Sequence, residues 1–181
     1  MENSSGKDLF KLLGKFEQQQ EMPPVESWHP TVESEIDINI DNQGRWFHEG
    51  GHFDRQDLAR MFASILRREG DDYFLVTPVE KLKIQVDDVP FSFVLMKNVM
   101  IDNYQQLTFI TSLGDEVVAD EKNQIEFRAN SNGDLVPYIE VRNNLWGKLN
   151  QSTYYELINL VQESAEGFFI SSCGCDFRIP G

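Results

Sequence analysis

Ile36, Ile38 and Ile40 alternate with polar residues, the period-two pattern of a strand with one buried face. Asp41-Asn42-Gln43-Gly44 reads as a turn, and residues 45–48 return as a second strand. The period changes to 3.6 at Leu58, Met61, Phe62, Ile65 and Leu66, which form one apolar helical stripe. Phe53 is placed to staple that helix and Asp54 to cap it. Glu69-Gly70-Asp71 is the expected stop, and residues 73–77 form a strand that ends at Pro78. Upstream, Leu9, Leu12, Leu13 and Phe16 predict an amphipathic helix over residues 8–20 with Asp8 as cap. A helix that short is marginal alone in water, so it is expected to pack on the body or on a partner. Pro23, Pro24 and Pro30 make the following stretch, with Trp28, an extended linker.

The second half is richer in strands. Alternating or β-branched runs fall at residues 82–86, 91–95, 107–111, 116–118, 125–128 and 136–141, separated by turn residues such as Asp102-Asn103 and Leu113-Gly114-Asp115. A helix capped at Asn150 or Ser152 is expected to run through Glu163, before a last strand at residues 168–172. Ile38-x-Ile40-Asp41-x-x-Gly44 is echoed by Phe127-x-Ala129-Asn130-x-x-Gly133, each followed by a strand and a capped helix. The expected fold class is therefore α+β, a duplicated strand–turn–strand–helix core. Its C-terminal half is a small antiparallel barrel or sandwich closed by a helix. The expected organisation is an N-terminal helix (residues 1–22), an α+β unit (23–78) and a β-rich domain (79–181).

The 181 residues carry 16 basic and 30 acidic side chains, a net charge of −14 spread evenly over the two halves. Neither a nucleic-acid backbone nor an anionic membrane is an expected partner, because both need a cationic footprint. No apolar run reaches the length of a membrane span and no signal-peptide core is visible, so a cytoplasmic location is expected. A local cluster of arginines can still hold one small anion.

His48-Glu49-Gly50-Gly51-His52 spells the H-E-x-x-H pattern of zinc proteases. That chemistry needs both imidazoles on one helical face, and two adjacent glycines cost about 1 kcal/mol each inside a helix. The segment reads instead as a loop between strand and helix, leaving a zinc-dependent hydrolase as the remote alternative. Cys173 and Cys175 are too few for a closed zinc site, and a disulfide across one residue is strained. Reduced thiols in a late strand or loop are expected.

Pro78 fixes the expected junction of the two units, and the neighbouring Glu80 and Lys81 point to opposite faces of a strand. One of them is expected to face a seam, either in an ion pair or against a ligand. Arg67 and Arg68 suit a helix C-terminus. Arg55 at the helix start is placed to hold an anion beside free backbone N–H groups. Arg142 can grip a carboxylate or phosphate with parallel hydrogen bonds. Trp46 is expected in the core, and His48 on the same strand face is either structural or a donor to a ligand.

Asp41-x-x-Gly44-x-Trp46-x-His48-x-Gly50, Val76-Thr77-Pro78-Val79-Glu80-Lys81, Asp88-x-Pro90-Phe91 and Pro137-Tyr138-x-x-Val141-Arg142 occur in that order, followed by Tyr154-Tyr155-Glu156-Leu157. Over residues 25–165 the chain resembles the bacterial family called domain of unknown function 1285. The resemblance implies two domains with a duplicated core, the second superficially like a pleckstrin-homology barrel, and no established enzymatic activity or cofactor. It also implies a pocket between the domains for a small anionic, nucleotide-like ligand, and a part in signalling or stress response. His48, Arg55, Thr77, Glu80, Lys81, Tyr138 and Arg142 are the residues expected to line it. A protein-interaction adaptor, docking a partner on the barrel edge or the N-terminal helix, is the alternative.

Overall fold

The computed structural model describes residues 22–181, so the helix expected over residues 8–20 lies outside the described residues. Two compact units emerge. Of the described residues, the first takes in 22–39 and Trp46–Val86, and the second Ile40–Arg45 with Asp87–Gly181.

In the first unit β1 (Val32–Ile40), β2 (Trp46–His48) and β3 (Gly51–His52) are followed by helix α1 (Gln56–Ser64). Strands β4 (Leu66–Glu69), β5 (Asp72–Val76) and β6 (Glu80–Val86) complete a six-stranded sheet of order β3-β2-β1-β6-β5-β4. Because β6 pairs with β5 throughout, the handover to the second unit falls after Val86 rather than at Pro78. Trp46 is buried and stacks on Phe62 at 6.3 Å, with Phe53 beside both rings.

Helix α1 differs from the expectation at both ends. Its N-cap position is Arg55, not Asp54, and carries no side-chain cap bond. It stops at Ser64, where the hydroxyl donates back to Met61 O at 2.6 Å. Ile65 and Leu66 continue the apolar stripe by count only; Leu66 pairs with Leu75 in the sheet, and all three side chains are buried. An apolar pair satisfies either geometry, and the sheet buries it more completely. Arg67 and Arg68 therefore lie on a strand, past the end of the helix rather than in its last turn. Arg67 instead donates to Val25 O and Trp28 O at 3.1 and 2.8 Å, tying down the turn at Val25–Ser27.

The second unit contains β7 (Phe91–Ile101), β8 (Tyr104–Thr111), β9 (Glu116–Val118), β10 (Ile125–Ala129), β11 (Leu135–Arg142) and β12 (Leu145–Leu149). Their order is β10-β11-β12-β7-β8-β9. Read from the other edge this is 9-8-7-12-11-10, the order 3-2-1-6-5-4 of the first unit advanced by six. The two sheets thus repeat one strand arrangement, in the register β1 to β7. The repeat read from the sequence matched β1 to β10 instead, because the two turns share chemistry. Asp41 and Asn130 each accept two backbone N–H bonds at 2.9 Å from the residues two and four positions on. Gly44 and Gly133 supply the left-handed position, at φ 76° and 84°.

The expected barrel is an open sheet, since its end strands β9 and β10 are the two edges. With two helices among the described residues, the architecture is mostly β rather than evenly α+β. Helix α2 (Gln151–Ile158) follows β12, capped by Asn150, which accepts from Thr153 N at 2.9 Å. It ends well before Glu163, and β13 (Gln162–Ser164), β14 (Gly167–Ser172) and β15 (Cys175–Arg178) form a separate three-stranded sheet.

The two halves of the large sheet meet where β12 runs parallel to β7, from Gly147 opposite Phe91 to Leu149 opposite Phe93. A Cβ on Gly147 would stand 2.5 Å from Cε2 of Phe93 and 3.1 Å from Cβ of Phe91. Phe93 cannot yield, being fully buried edge-on to Phe109 at 5.8 Å. Gly147→Ala is therefore expected to destabilise the protein by about 1–3 kcal/mol through overpacking alone. The denaturant midpoint measures this; an unchanged midpoint would contradict the packing of β12 on Phe93.

Candidate functional site

His48-Glu49-Gly50-Gly51-His52 is a two-residue β-hairpin. Glu49 and Gly50 take positive φ (49° and 76°), His48 pairs with Gly51, and Phe47 pairs with His52. Paired residues share a face and successive residues alternate, so His48 and His52 project from opposite faces of the ribbon. One metal ion cannot bridge them, and the helical face on which zinc-protease chemistry depends does not form. Among the described residues no group of three potential ligands comes together.

The other first-unit candidates are bound into local structure. Arg55 is exposed and paired with Asp57. Thr77 is buried and organises the β5–β6 turn, donating to Glu80 O and accepting from Glu80 N, both at 3.1 Å. That explains Val-Thr-Pro-Val-Glu-Lys as a turn signature. Lys81 sits over the Phe74 ring at 4.6 Å and donates to Glu69 at 2.8 Å, with Glu33 at 3.0 Å. The Lys81 hydrogen bond holds the Glu69 carboxyl below its ordinary range against the opposing effect of burial, with Arg67 adding to it. Glu80, half-buried at the start of β6, serves that turn through its backbone.

In the second unit Tyr138 belongs to a built cluster on one face of β10–β12. Its hydroxyl donates to Asp88 at 3.1 Å, and Lys148, its cross-strand partner, donates to the same carboxylate at 2.7 Å. The Arg128 guanidinium lies 4.6 Å from the Tyr138 ring and 4.4 Å from the Trp146 ring, and pairs with Glu126 at 3.0 Å. Val89, Tyr138 and Trp146 pack together beneath this layer. Burial, then the Asp88 charge, pushes the Tyr138 phenol up to about 12. Arg142 lies apart from the cluster, 5.1 Å from the Phe91 ring and 3.9 Å from Asp115. Burial pulls its pKa down, against the Asp115 carboxylate. Asp88 with Tyr138, and Phe91 with Arg142, thus join residues of two separate sequence motifs. Lys148, Arg128 and Trp146 complete the picture but sit in no motif legible beforehand.

The remaining feature is an edge. Pairing of β12 with β7 ends at Phe93, where Asn150 N donates to Phe93 O and the chain turns into α2. Beyond that point β7 pairs only with β8 among the described residues; helix α2 packs against it, and no strand lies on its other side as far as Ile101. Val94, Leu95, Val99, Met100, Ile101 and Tyr104 are all exposed, from 42 % for Val94 to 68 % for Met100. The opposite side of this hairpin is closed: Cys173 N donates to Gln105 O at 2.7 Å, and Leu107 N donates to the Ser172 hydroxyl at 2.9 Å. Cys173 and Gly174, with φ 53° and 77°, are the turn that performs that closure. Burial pushes the Cys175 thiol up, away from thiolate chemistry, with the nearby carboxylates adding to it.

Two mostly β units with the same strand order, the second carrying a charged aromatic face and an open apolar edge, define a two-domain protein with no recognisable catalytic centre among the described residues. The chain belongs to the DUF1285 family: the N-terminal domain of that family, of unknown function, matches residues 23–89 and its C-terminal domain residues 90–179. A DUF1285 family protein from Silicibacter pomeroyi DSS-3 is 35 % identical, with a TM-score of 0.85 over 93 % of this chain and 92 % of that one. Another, from Shewanella baltica OS155, is 31 % identical, with a TM-score of 0.55 over 67 % of this chain and 90 % of that one. Comparison with curated proteins gives no match.

The Tyr138 phenol has its folded pKa at about 12, above an ordinary value of 10.0. The unfolded chain therefore gives up this proton first, and the stability tied to it is complete below pH 10 and lost as pH rises toward 12. Phenolate absorbance should show an ionisation at high pH that Tyr138→Phe removes, together with part of the alkaline loss of stability. A Tyr138→Phe protein that keeps the same high-pH ionisation as wild type would contradict the Asp88–Tyr138 contact.

Proposed function

We propose that the protein is a non-enzymatic interaction module that docks a partner strand along the open edge of β7. The observation that carries this reading is the run of exposed apolar side chains on a strand that, among the described residues, is paired on one side only beyond Phe93. Natural sheets normally shorten, charge or cover such an edge, because its free N–H and C=O groups template pairing with another chain. Here Lys97 is the one charged residue between Val94 and Ile101, and it is already paired with Glu116 at 2.8 Å. Strand addition supplies backbone hydrogen bonds for affinity and alternate side chains for specificity. In this reading the C-terminal unit serves as a pleckstrin-homology-like platform, six strands followed by a helix, and a role in signalling would run through what the edge recruits.

A second reading, binding of a small anionic or nucleotide-like ligand, draws on Tyr138, Lys148 and Arg128 gathered on one face of an otherwise acidic chain. Lys148 already meets Asp88 and Arg128 meets Glu126, so an anion has to displace a carboxylate. That competition ranks it below strand docking.

The test compares wild-type protein with Val99→Lys/Ile101→Lys as baits, with captured chains quantified from lysate. Both positions are exposed within one chain, so the variant should keep its fold by circular dichroism while specifically captured chains fall at least tenfold. Equal capture by a folded double variant would defeat the proposal.

A further inference from the structure

The geometry points to a second copy of this chain as the occupant of the β7 edge, giving a two-fold dimer with Asn98 at its axis; this rests on reading β7 as a docking edge. Charge is the first argument. The chain carries −14, yet residues 91–104 hold one lysine and one aspartate. Two copies repel over most of their surfaces and can approach without net repulsion along this segment. A strongly charged partner strand finds little counter-charge there, whereas β7 itself carries a single charge, Lys97, already paired with Glu116, and is otherwise uncharged, mostly apolar and of matching length.

Register is the second argument. Two antiparallel strands related by a two-fold axis normal to the sheet must pair residues of like parity, since opposed residues share a face. Centring the axis on Asn98 sets Leu95 against Ile101 of the second copy, Met96 against Met100, and Lys97 against Val99. Every exposed aliphatic residue from Leu95 to Ile101 then meets an apolar side chain or the aliphatic stem of a lysine. Asn98 meets itself, and an amide is both donor and acceptor, so the pair is self-complementary. Moving the axis to Lys97 opposes two ammonium groups; moving it to Val99 sets Asn98 against Met100 and Ile101 against Lys97. Of these three registers, the one centred on Asn98 opposes no like charges, sets Leu95 on Ile101 and Met96 on Met100, and leaves no amide against an apolar side chain.

Closure of the β8 side by the C-terminal hairpin fixes the stoichiometry. Among the described residues only one side of the β7–β8 hairpin lacks a backbone neighbour beyond Phe93, so pairing ends at two copies rather than growing into a fibre.

The test is a charge swap read by sedimentation equilibrium. Asn98 is exposed, so Asn98→Asp and Asn98→Lys should both fold, as circular dichroism and melting temperature would confirm. Wild-type protein is expected at twice the monomer mass, and each variant at the monomer mass, its dissociation constant raised at least tenfold. An equimolar mixture of the two variants should recover the dimer, because residue 98 faces itself only across this axis. A dimer indifferent to both variants overturns the inference by placing the interface elsewhere. A wild-type monomer at the highest soluble concentration overturns it too. The docking reading then stands if Val99→Lys/Ile101→Lys still loses captured chains, and falls with the inference if it does not.

Discussion

The second unit depends on one close approach, the passage of β12 alongside β7 at Gly147. Without a side chain there, β12 comes down onto Phe93 and Phe91 and joins two three-stranded meanders into one sheet. The join is short because Asn150 turns the chain into α2 immediately after Leu149. Both consequences matter. Tyr138 and Lys148 become cross-strand neighbours converging on Asp88, and the rest of β7 runs on with no second strand beside it among the described residues. The cluster and the edge thus have a common cause in three paired residues.

Local turn chemistry was the most legible part of the chain. Asp41-x-x-Gly44 and Asn130-x-x-Gly133 form the turns their residues demand, and Thr111 builds a related one, accepting from Asp115 N at 3.0 Å. That legibility also misled, since like turns suggested β1 and β10 as equivalents when sheet order makes β1 the equivalent of β7. Strand β12 escaped notice because Leu145, Trp146, Gly147 and Leu149 are all buried, which leaves no alternation to read. The far half of β7 escaped for the opposite reason: Val99, Met100 and Ile101 are consecutive and all exposed, so apolar character there carries no period. A stretch that is apolar on both faces and buried on neither is itself the signature of a docking strand, legible once its exposure is known.

Of the residues expected to bind a ligand, those in the first unit proved to hold that unit together. Thr77 and the Glu80 backbone make a turn, Lys81 bridges Glu33 and Glu69, and Arg55 pairs with Asp57. Motifs at these positions report the demands of hairpins and ion pairs. His48 and His52 teach the same lesson, because a spacing that makes a metal site on a helix makes two opposite faces on a ribbon.

The central claim is that β7 beyond Phe93 is an edge completed by another chain. Amide hydrogen exchange resolved along Phe91–Ile101 at several protein concentrations tests it most directly. The account predicts that amides at Phe91–Phe93 exchange at a constant slow rate, while the outward-facing amides between Leu95 and Ile101 slow as concentration rises. Rates at those amides that are slow and independent of concentration would contradict it, showing the edge already satisfied within a single chain.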